Sequence, residues 1–242
     1  MPLPDLPILR LLFASRTARR NKWLEEYADI LNSQFAYYQK LTAADQLRFV
    51  ERVHRFRRSK TFRHIGMEPL RETEVLFSAS AIQLTFGLEK YGFSFFDDVY
   101  IMKGAYTYGF NTTPWAGHVN RKGIHVSWNH FKLGYAVNND RYNVGLHEMA
   151  HALEYEFSMG EYADDEILQT QFAVVMRQVE KVIYYEQEKR SSIYSPEGII
   201  NNHECWAESI ELFFENPVEL FSHYTDLYIE IKKLLNQDPG KR

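Results

Sequence analysis

The feature that most constrains this chain is a pair of histidines four residues apart, with a glutamate directly after the first, in a largely apolar stretch. They are His147, Glu148 and His151, within the segment from Asn143 to Glu154. Four residues advance an α-helix by about 400°, so both imidazoles project from one helix face, one turn apart. That separation lets both rings reach one Zn²⁺ ion at about 2.0–2.1 Å. Glu148 is instead placed to take a proton from a water molecule.

A surface helix with exposed histidines is the competing interpretation. The neighbouring residues are mostly apolar, however: Val144, Met149, Ala150, Ala152, Leu153 and Phe157. Such a helix lies in a core, where two imidazoles and a carboxylate without partners are costly to bury. A metal ion supplies that partner. We therefore predict a zinc-binding helix over Tyr142 to Phe157, with its N-cap among Asn138, Asn139 and Asp140.

A catalytic zinc needs a third protein ligand and one open position. The candidates are His203, Glu204, Glu208 and Glu211, in a segment with helical spacing from His203 to Glu215. The three glutamates form one stripe, and a solvent-exposed face is the ordinary explanation for such a stripe. The many large apolar residues of the same segment favour burial instead. Spacing alone does not rank Glu204 above Glu208 or His203.

Composition restricts the classes of protein to consider. The chain has 242 residues, of which 45% are hydrophobic and 25% charged, as in ordinary globular proteins. A formal charge of −4 gives no reason to expect nucleic acid as a partner. The single cysteine, Cys205, excludes an internal disulfide and favours a reducing, cytoplasmic compartment. The apolar stretch Pro2 to Phe13 is too short and interrupted to span a bilayer, so no transmembrane segment is expected.

The remaining pattern predicts an α+β domain in the order helices, small sheet, helices. Helical spacing or capping marks Trp23–Tyr38, Thr42–Arg58, Glu74–Glu89, Ile167–Lys189, His203–Glu215 and Pro217–Leu235. Short runs of β-branched and aromatic residues predict strands at Ser94–Met102 and Gly123–Trp128. This order is not that of alternating βαβ units.

Several motifs together resemble a known family. They are Lys60-Thr-Phe, Ile124-His-Val-Ser-Trp128, Leu146-His-Glu-Met-Ala-His-Ala-Leu-Glu154, Glu204-Cys-Trp-Ala-Glu208, Leu212-Phe-Phe-Glu-Asn-Pro217 and Leu234-Leu-Asn-Gln-Asp-Pro239. In combination they resemble the Mlc titration factor A zinc peptidases, whose catalytic domain is similar to that of anthrax lethal factor. The resemblance covers about residues 41–239. It implies a mainly helical, zincin-like metallopeptidase domain of the gluzincin type. We expect this domain over residues 41–242, after an N-terminal helical segment, residues 1–40, that forms one compact unit with it, since no linker marks a boundary.

The resemblance also implies roles for single residues. Glu204 is the implied third ligand of one zinc ion, beside His147 and His151. Glu208 is implied to orient a ligating histidine. The strand Gly123–Trp128 is implied to border the cleft, where an extended peptide adds by main-chain pairing.

One departure concerns a tyrosine that stabilises the oxyanion in the family, seven residues before the glutamate ligand. Glu197 stands at that position here. The nearest upstream tyrosine is Tyr194, and a three-residue insertion in the intervening loop restores the match. We therefore expect Tyr194 to donate to the oxyanion, with His203 as an additional donor.

The function expected is zinc-dependent peptide hydrolysis, with Glu148 as general base and a peptide or protein as substrate; aminopeptidase action is one form of it. The alternative is a regulatory protein that binds and sequesters a partner such as a transcriptional repressor, with little peptidase activity. His118, His125 and His130 flank the expected cleft and are interpreted as structural or solvated.

Overall fold

The structure, a computed structural model, describes residues 22–109, 112–136, 141–187 and 192–241. Its helices are α1 (22–34), α2 (Ala36–Gln39), α3 (Ala43–Ser59), α4 (Arg71–Thr85), α5 (Trp128–Ala136), α6 (Val144–Met159), α7 (Glu166–Glu186), α8 (Asn202–Glu215), α9 (Pro217–His223) and α10 (Thr225–Leu235), followed by a 3-10 turn at Pro239–Lys241. Among these helices, none has the length and apolar character needed to cross a bilayer.

Four short strands form one mixed sheet: β1 (Thr61–Ile65), β2 (Asp98–Met102), β3 (Gly117–Asn120) and β4 (Gly123–Ser127). Their spatial order is β1-β2-β4-β3. The first three strands of that order run parallel, whereas β3 is antiparallel to β4. The sheet therefore ends on one side at β3, which presents a free edge. The expectation of a mostly helical protein with a small sheet is confirmed.

Helix α6 lies between the sheet and α8. It contacts β3 and β4 on one side and α8 on the other. The Trp206 indole of α8, which is fully buried, donates from Nε1 to the Ala150 carbonyl of α6 at 2.9 Å. The same apolar core includes Tyr27 and Leu31 of α1. The histidine motif thus lies in a core helix with its two flanking elements fixed around it.

Three elements were missed by sequence reasoning: β1, β3 and α5. β1 carries Arg63 and His64 and alternates between exposed and half-buried residues, so it lacks the apolar run that marks a strand. Because β1 and β2 are parallel and joined through α4, they form a βαβ unit. This unit stands alone, so the described elements do not alternate as βαβ units along the chain, in agreement with the expectation.

Several predicted boundaries also differ. The helix predicted over Trp23–Tyr38 is interrupted at Phe35, and the one predicted over Pro217–Leu235 is interrupted at Tyr224. The strand predicted from Ser94 is limited to Asp98–Met102. The N-cap of α6 is Asn143, whereas the expected cap residues 138–140 lie outside the described residues. The end predicted for α7 at Lys189 also lies outside them.

Candidate metal centre

The start of α6 is tied firmly to its surroundings by Asn143, which is fully buried. Its Oδ1 accepts from the Leu146 amide at 3.0 Å, which caps the helix. Its Nδ2 donates to the Gly134 carbonyl at 3.1 Å and to the Glu215 carboxylate at 2.9 Å. Its own backbone N–H donates to the Glu211 carboxylate. The first turn of α6 is therefore held by α8 before any ligand is considered.

One turn into α6, three side chains converge as a candidate metal site: His147, His151 and Glu204. The Nε2 atoms of the two histidines lie 3.1 Å apart. The Glu204 carboxylate lies 3.2 Å from the Nε2 of His147 and 3.6 Å from the Nε2 of His151. Atoms bonded to one Zn²⁺ at about 2.0–2.1 Å in a tetrahedron lie about 3.3 Å from each other. The observed separations therefore suit one zinc ion.

The hydrogen bonding of His147 agrees with that arrangement. Its Nδ1 lies 2.7 Å from Oε1 of Glu211, which is 4% exposed. A carboxylate only accepts, so Nδ1 carries a proton, and in the neutral ring Nε2 is the nitrogen left to bind a metal. Contacts with His147 and His151 also lower the pKa of Glu204 well below its ordinary value, which keeps that carboxylate ionised.

The expectation that Glu208 orients a ligating histidine is wrong, because Glu211 contacts His147 instead. The Glu208 carboxylate accepts from the Ser195 backbone N–H at 3.0 and 3.2 Å. It also lies against Gly198, where an added Cβ would be 1.4 Å from Oε2. Glu208 thus anchors the loop that precedes α8.

Glu148 directly follows His147 on α6 and is not one of the three converging side chains. It is 4% exposed, and its Oε2 finds no hydrogen-bond partner among the described residues. Burial raises the pKa of Glu148 to about 7, despite the opposing charges of His147 and His151. A carboxylate of this kind is suited to take and return protons near neutral pH. Its space is provided by Gly117 of β3, where an added Cβ would lie 2.3 Å from Oε1.

The three converging side chains and Glu148 line a cleft of about 870 Å³. One wall is β3, with Gly117 and Val119; the floor is α6; the other wall is the loop before α8 together with its first turn. None of the described residues that line the cleft is a lysine or an arginine. The cleft is therefore open to a chain-like ligand and rich in carboxylates.

The comparison with known families agrees with this geometry. The sequence profile of the family described as glucose-regulated metallo-peptidase M90 matches residues 10–235. This chain belongs to that M90 family. The resemblance drawn from the motifs is thereby confirmed. No curated protein matches the chain.

In this M90 chain, the predicted tyrosine does not reach the cleft. Tyr194 is 4% exposed, and its hydroxyl lies 2.8 Å from the Ser209 hydroxyl on the core side of α8. Its ring packs edge-on against Tyr224. The expectation that Tyr194 faces the oxyanion is therefore not supported by its position. Glu197, which occupies the family's tyrosine position, is exposed and lines the cleft.

The additional donor expected, His203, does line the M90 cleft. Its Nδ1 lies 2.6 Å from Oε1 of Glu154, one turn beyond His151 on α6. Because a carboxylate accepts, this contact fixes the orientation of the ring. It also joins α8 to α6 across the cleft.

Sequence reasoning missed the arrangement of His118 and His125, which are nearly buried and paired across β3 and β4. Their rings stack at 4.1 Å, and Tyr100 stacks on the outer face of His125 at 4.4 Å. Both ring nitrogens of His118 also make hydrogen bonds: Nδ1 with the Tyr106 hydroxyl at 2.8 Å and Nε2 with Nδ2 of Asn120 at 3.0 Å. Burial, reinforced by the neighbouring His125, lowers the pKa of His118 to about 4. This neutral stack stiffens the β3 wall, which agrees with a structural interpretation.

His130, the third of these histidines, lies at the start of α5. Its Nδ1 is 2.8 Å from the Ser127 hydroxyl, and it is not among the residues lining the cleft. The β3 wall of the cleft could have been predicted only from the alternation of polar and apolar residues along β3. That segment has four residues, so the signal is weak.

Proposed function

We propose that this M90 chain is a zinc-dependent peptidase of the gluzincin type. The observation that carries the proposal is the convergence of His147, His151 and Glu204 at tetrahedral separations, beside Glu148, whose Oε2 has no hydrogen-bond partner among the described residues. Three ligands leave a fourth zinc position open, as catalytic rather than structural sites do. One zinc ion per chain is expected.

The edge strand β3 is the surface on which we expect the substrate to lie. Ala116 accepts from the Ser127 N–H, so this cross-strand pair is hydrogen-bonded. Antiparallel pairs alternate, so the main-chain groups of Gly117 and Val119 point away from β4, and both residues line the cleft. An extended peptide can pair with them. β4 lies inside the sheet, so β3 replaces the strand Gly123–Trp128 in this role.

When bound, zinc supplies Lewis-acid chemistry: it polarises the scissile carbonyl and makes water more acidic. Glu148 accepts the proton of the attacking water on its carboxylate and returns it to the leaving amine. Glu211 keeps the proton of His147 on Nδ1. We assign the role of hydrogen-bond donor to the substrate to His203, which lines the cleft and is oriented by Glu154, in place of Tyr194.

Cleavage of a randomised pool of internally quenched octapeptides tests the proposal, beside a panel of aminoacyl p-nitroanilides that detects aminopeptidase action. Wild-type protein with one equivalent of zinc should cleave a subset, and removal of zinc by a chelator should stop cleavage. The Glu148→Gln variant should bind zinc normally and show no cleavage.

Wild-type protein that binds zinc and cleaves no peptide would contradict a peptidase. That outcome would favour the alternative of a protein that sequesters a regulatory partner.

The lone buried Cys205 suits a reducing, cytoplasmic compartment, which we include in the proposal.

A further inference from the structure

The cleft continues along α6 well beyond the candidate metal centre. Tyr155 and Met159 follow His147 and His151 at steps of four residues, so all four side chains lie along one stripe of the helix. Tyr155 and Met159 also line the cleft. At a rise of 1.5 Å per residue, they lie about 6 Å and about 12 Å past His151 along the axis.

The loop before α8 adds an apolar side chain to the same cleft. Ile200, in the loop before α8, lines the cleft with 70% of its surface exposed, and Met159 is 43% exposed. The contact between His203 and Glu154 joins α8 to α6 across this cleft. Large apolar side chains that face water singly are common, but Tyr155, Met159 and Ile200 all line the same cavity.

The loop that carries Ile200 is held in place. Glu208 accepts twice from the Ser195 amide, and the lack of a side chain at Gly198 lets the loop lie directly on that carboxylate. Because Glu208 is half-buried and belongs to α8, the loop is fixed to the same helix that carries Glu204. The loop segment that carries Ile200 is therefore anchored on the helix that also carries Glu204.

We propose that Tyr155, Met159 and Ile200 form an apolar subsite that binds an apolar side chain of a peptide substrate, remote from the bond cleaved. An extended peptide rises about 3.3 Å per residue, so the subsite lies about two to four residues from the scissile bond. The substrate class is thus an oligopeptide with an apolar residue at that distance. This inference rests on the proposed function, which it narrows towards cleavage of longer peptides.

The test uses quenched octapeptides built around a bond that the wild-type protein cleaves. At two, three and four residues on each side of that bond, leucine is compared with serine. A truncated peptide that ends before the subsite serves as reference. The variant Met159→Ser/Ile200→Ser removes the apolar surface at exposed positions, so folding should be preserved. Ile167→Ser is the matched control, because Ile167 is 83% exposed on α7 and does not line the cleft.

The wild-type protein and the control should prefer leucine at one of these positions by 10-fold or more in kcat/KM. The double variant should lose most of that preference, measured as the ratio of kcat/KM for the leucine and serine peptides. An unchanged leucine preference in the double variant would overturn the subsite, as would a wild-type protein without any preference.

A binding measurement separates this inference from the proposed function. Fluorescence polarisation of the same labelled peptides on zinc-loaded Glu148→Gln protein needs no cleavage. If the leucine peptide binds 10-fold more tightly and the double substitution abolishes the difference, the subsite stands even where no peptide is cleaved. Equal binding of both peptides would refute it.

Discussion

Gly117 offers the sharpest test of how the cleft positions Glu148. An added Cβ at Gly117 would lie 2.3 Å from Oε1 and 2.6 Å from both Cδ and Cγ of Glu148. Non-bonded contacts between heavy atoms are optimal at about 3.5–4.0 Å. The substitution Gly117→Ala therefore requires the Glu148 carboxylate or β3 to move by about 1 Å. Glu148 lines the cleft, so such a shift would displace its carboxylate relative to the candidate metal site.

The expected effect falls on the chemical step. A displacement of about 1 Å in a reacting group can reduce the rate about 100-fold. The candidate zinc ligands lie on other residues of α6 and on α8, so zinc stoichiometry should stay at one per chain. Overpacking of this kind also typically destabilises a fold by about 1–3 kcal/mol. A lowered melting temperature is therefore expected, but with folded protein at 25 °C.

The assay is kcat and KM on the best wild-type octapeptide, together with zinc content and the melting temperature. Gly104→Ala is the control, since a Cβ there meets its nearest atom, Nδ2 of Asn129, at 3.7 Å, an ordinary contact. Glu148→Gln sets the floor of activity. Wild-type kcat in a folded, zinc-loaded Gly117→Ala protein would refute the reasoning. Loss of zinc would also refute it, because the defect would then lie in the ligands.

Three further predictions concern the groups around the site. Glu211→Gln should weaken zinc binding about 10- to 100-fold, measured by competition with a chromogenic chelator, because His147 loses its charged partner; Glu208→Gln should leave zinc affinity nearly unchanged. The pKa of His118 is about 4 when folded and higher when unfolded, so the free energy of unfolding should fall as the pH drops from about 6.5 to about 4, by at most about 3 kcal/mol. In urea titrations across that range, His118→Phe should flatten this slope and the exposed control His223→Gln should not. Asn143→Ala should lower the free energy of unfolding by about 1–2 kcal/mol or more, since a helix cap and two buried contacts are lost together.

The sequence predicted correctly those features that depend on residues close together in the chain. The spacing of His147 and His151 sets their common helix face, and Thr42 begins α3 by accepting from the Asp45 amide at 3.2 Å, as its capping pattern predicts. By contrast, β1 and β3 are strands because of their neighbours in the sheet. Their own residues are short, polar runs in which periodicity carries little information.

The choice between Glu208 and Glu211 shows the same limit. Both lie on one stripe of α8 with Glu204, so spacing treats them alike. Which of them meets His147 depends on how α8 crosses α6, and that crossing depends on tertiary contacts such as the bond from Trp206 to Ala150. Local sequence does not contain this information.

Tyr194 illustrates how a loop changes a motif. The three extra positions between the tyrosine and Glu204 could only restore the family's geometry if the loop bulged outward. Instead, Glu208 and Gly198 hold the loop against α8, which leaves Tyr194 in the core and brings Glu197 and Ile200 to the cleft. The contacts of Glu208 with this loop thus keep the Tyr194 hydroxyl out of the cleft and place Glu197 and Ile200 in the cleft wall.

Glu211 links the helix start to the metal centre through its two oxygens. One accepts from the backbone N–H of Asn143, and the other contacts Nδ1 of His147. Both partners belong to the first turns of α6, so a single carboxylate from α8 fixes the helix terminus and the ring of the first histidine together. Because neither contact involves the metal, the orientation of His147 follows from packing of α8 on α6. The protein's own hydrogen bonds consequently orient the first histidine of the candidate metal site.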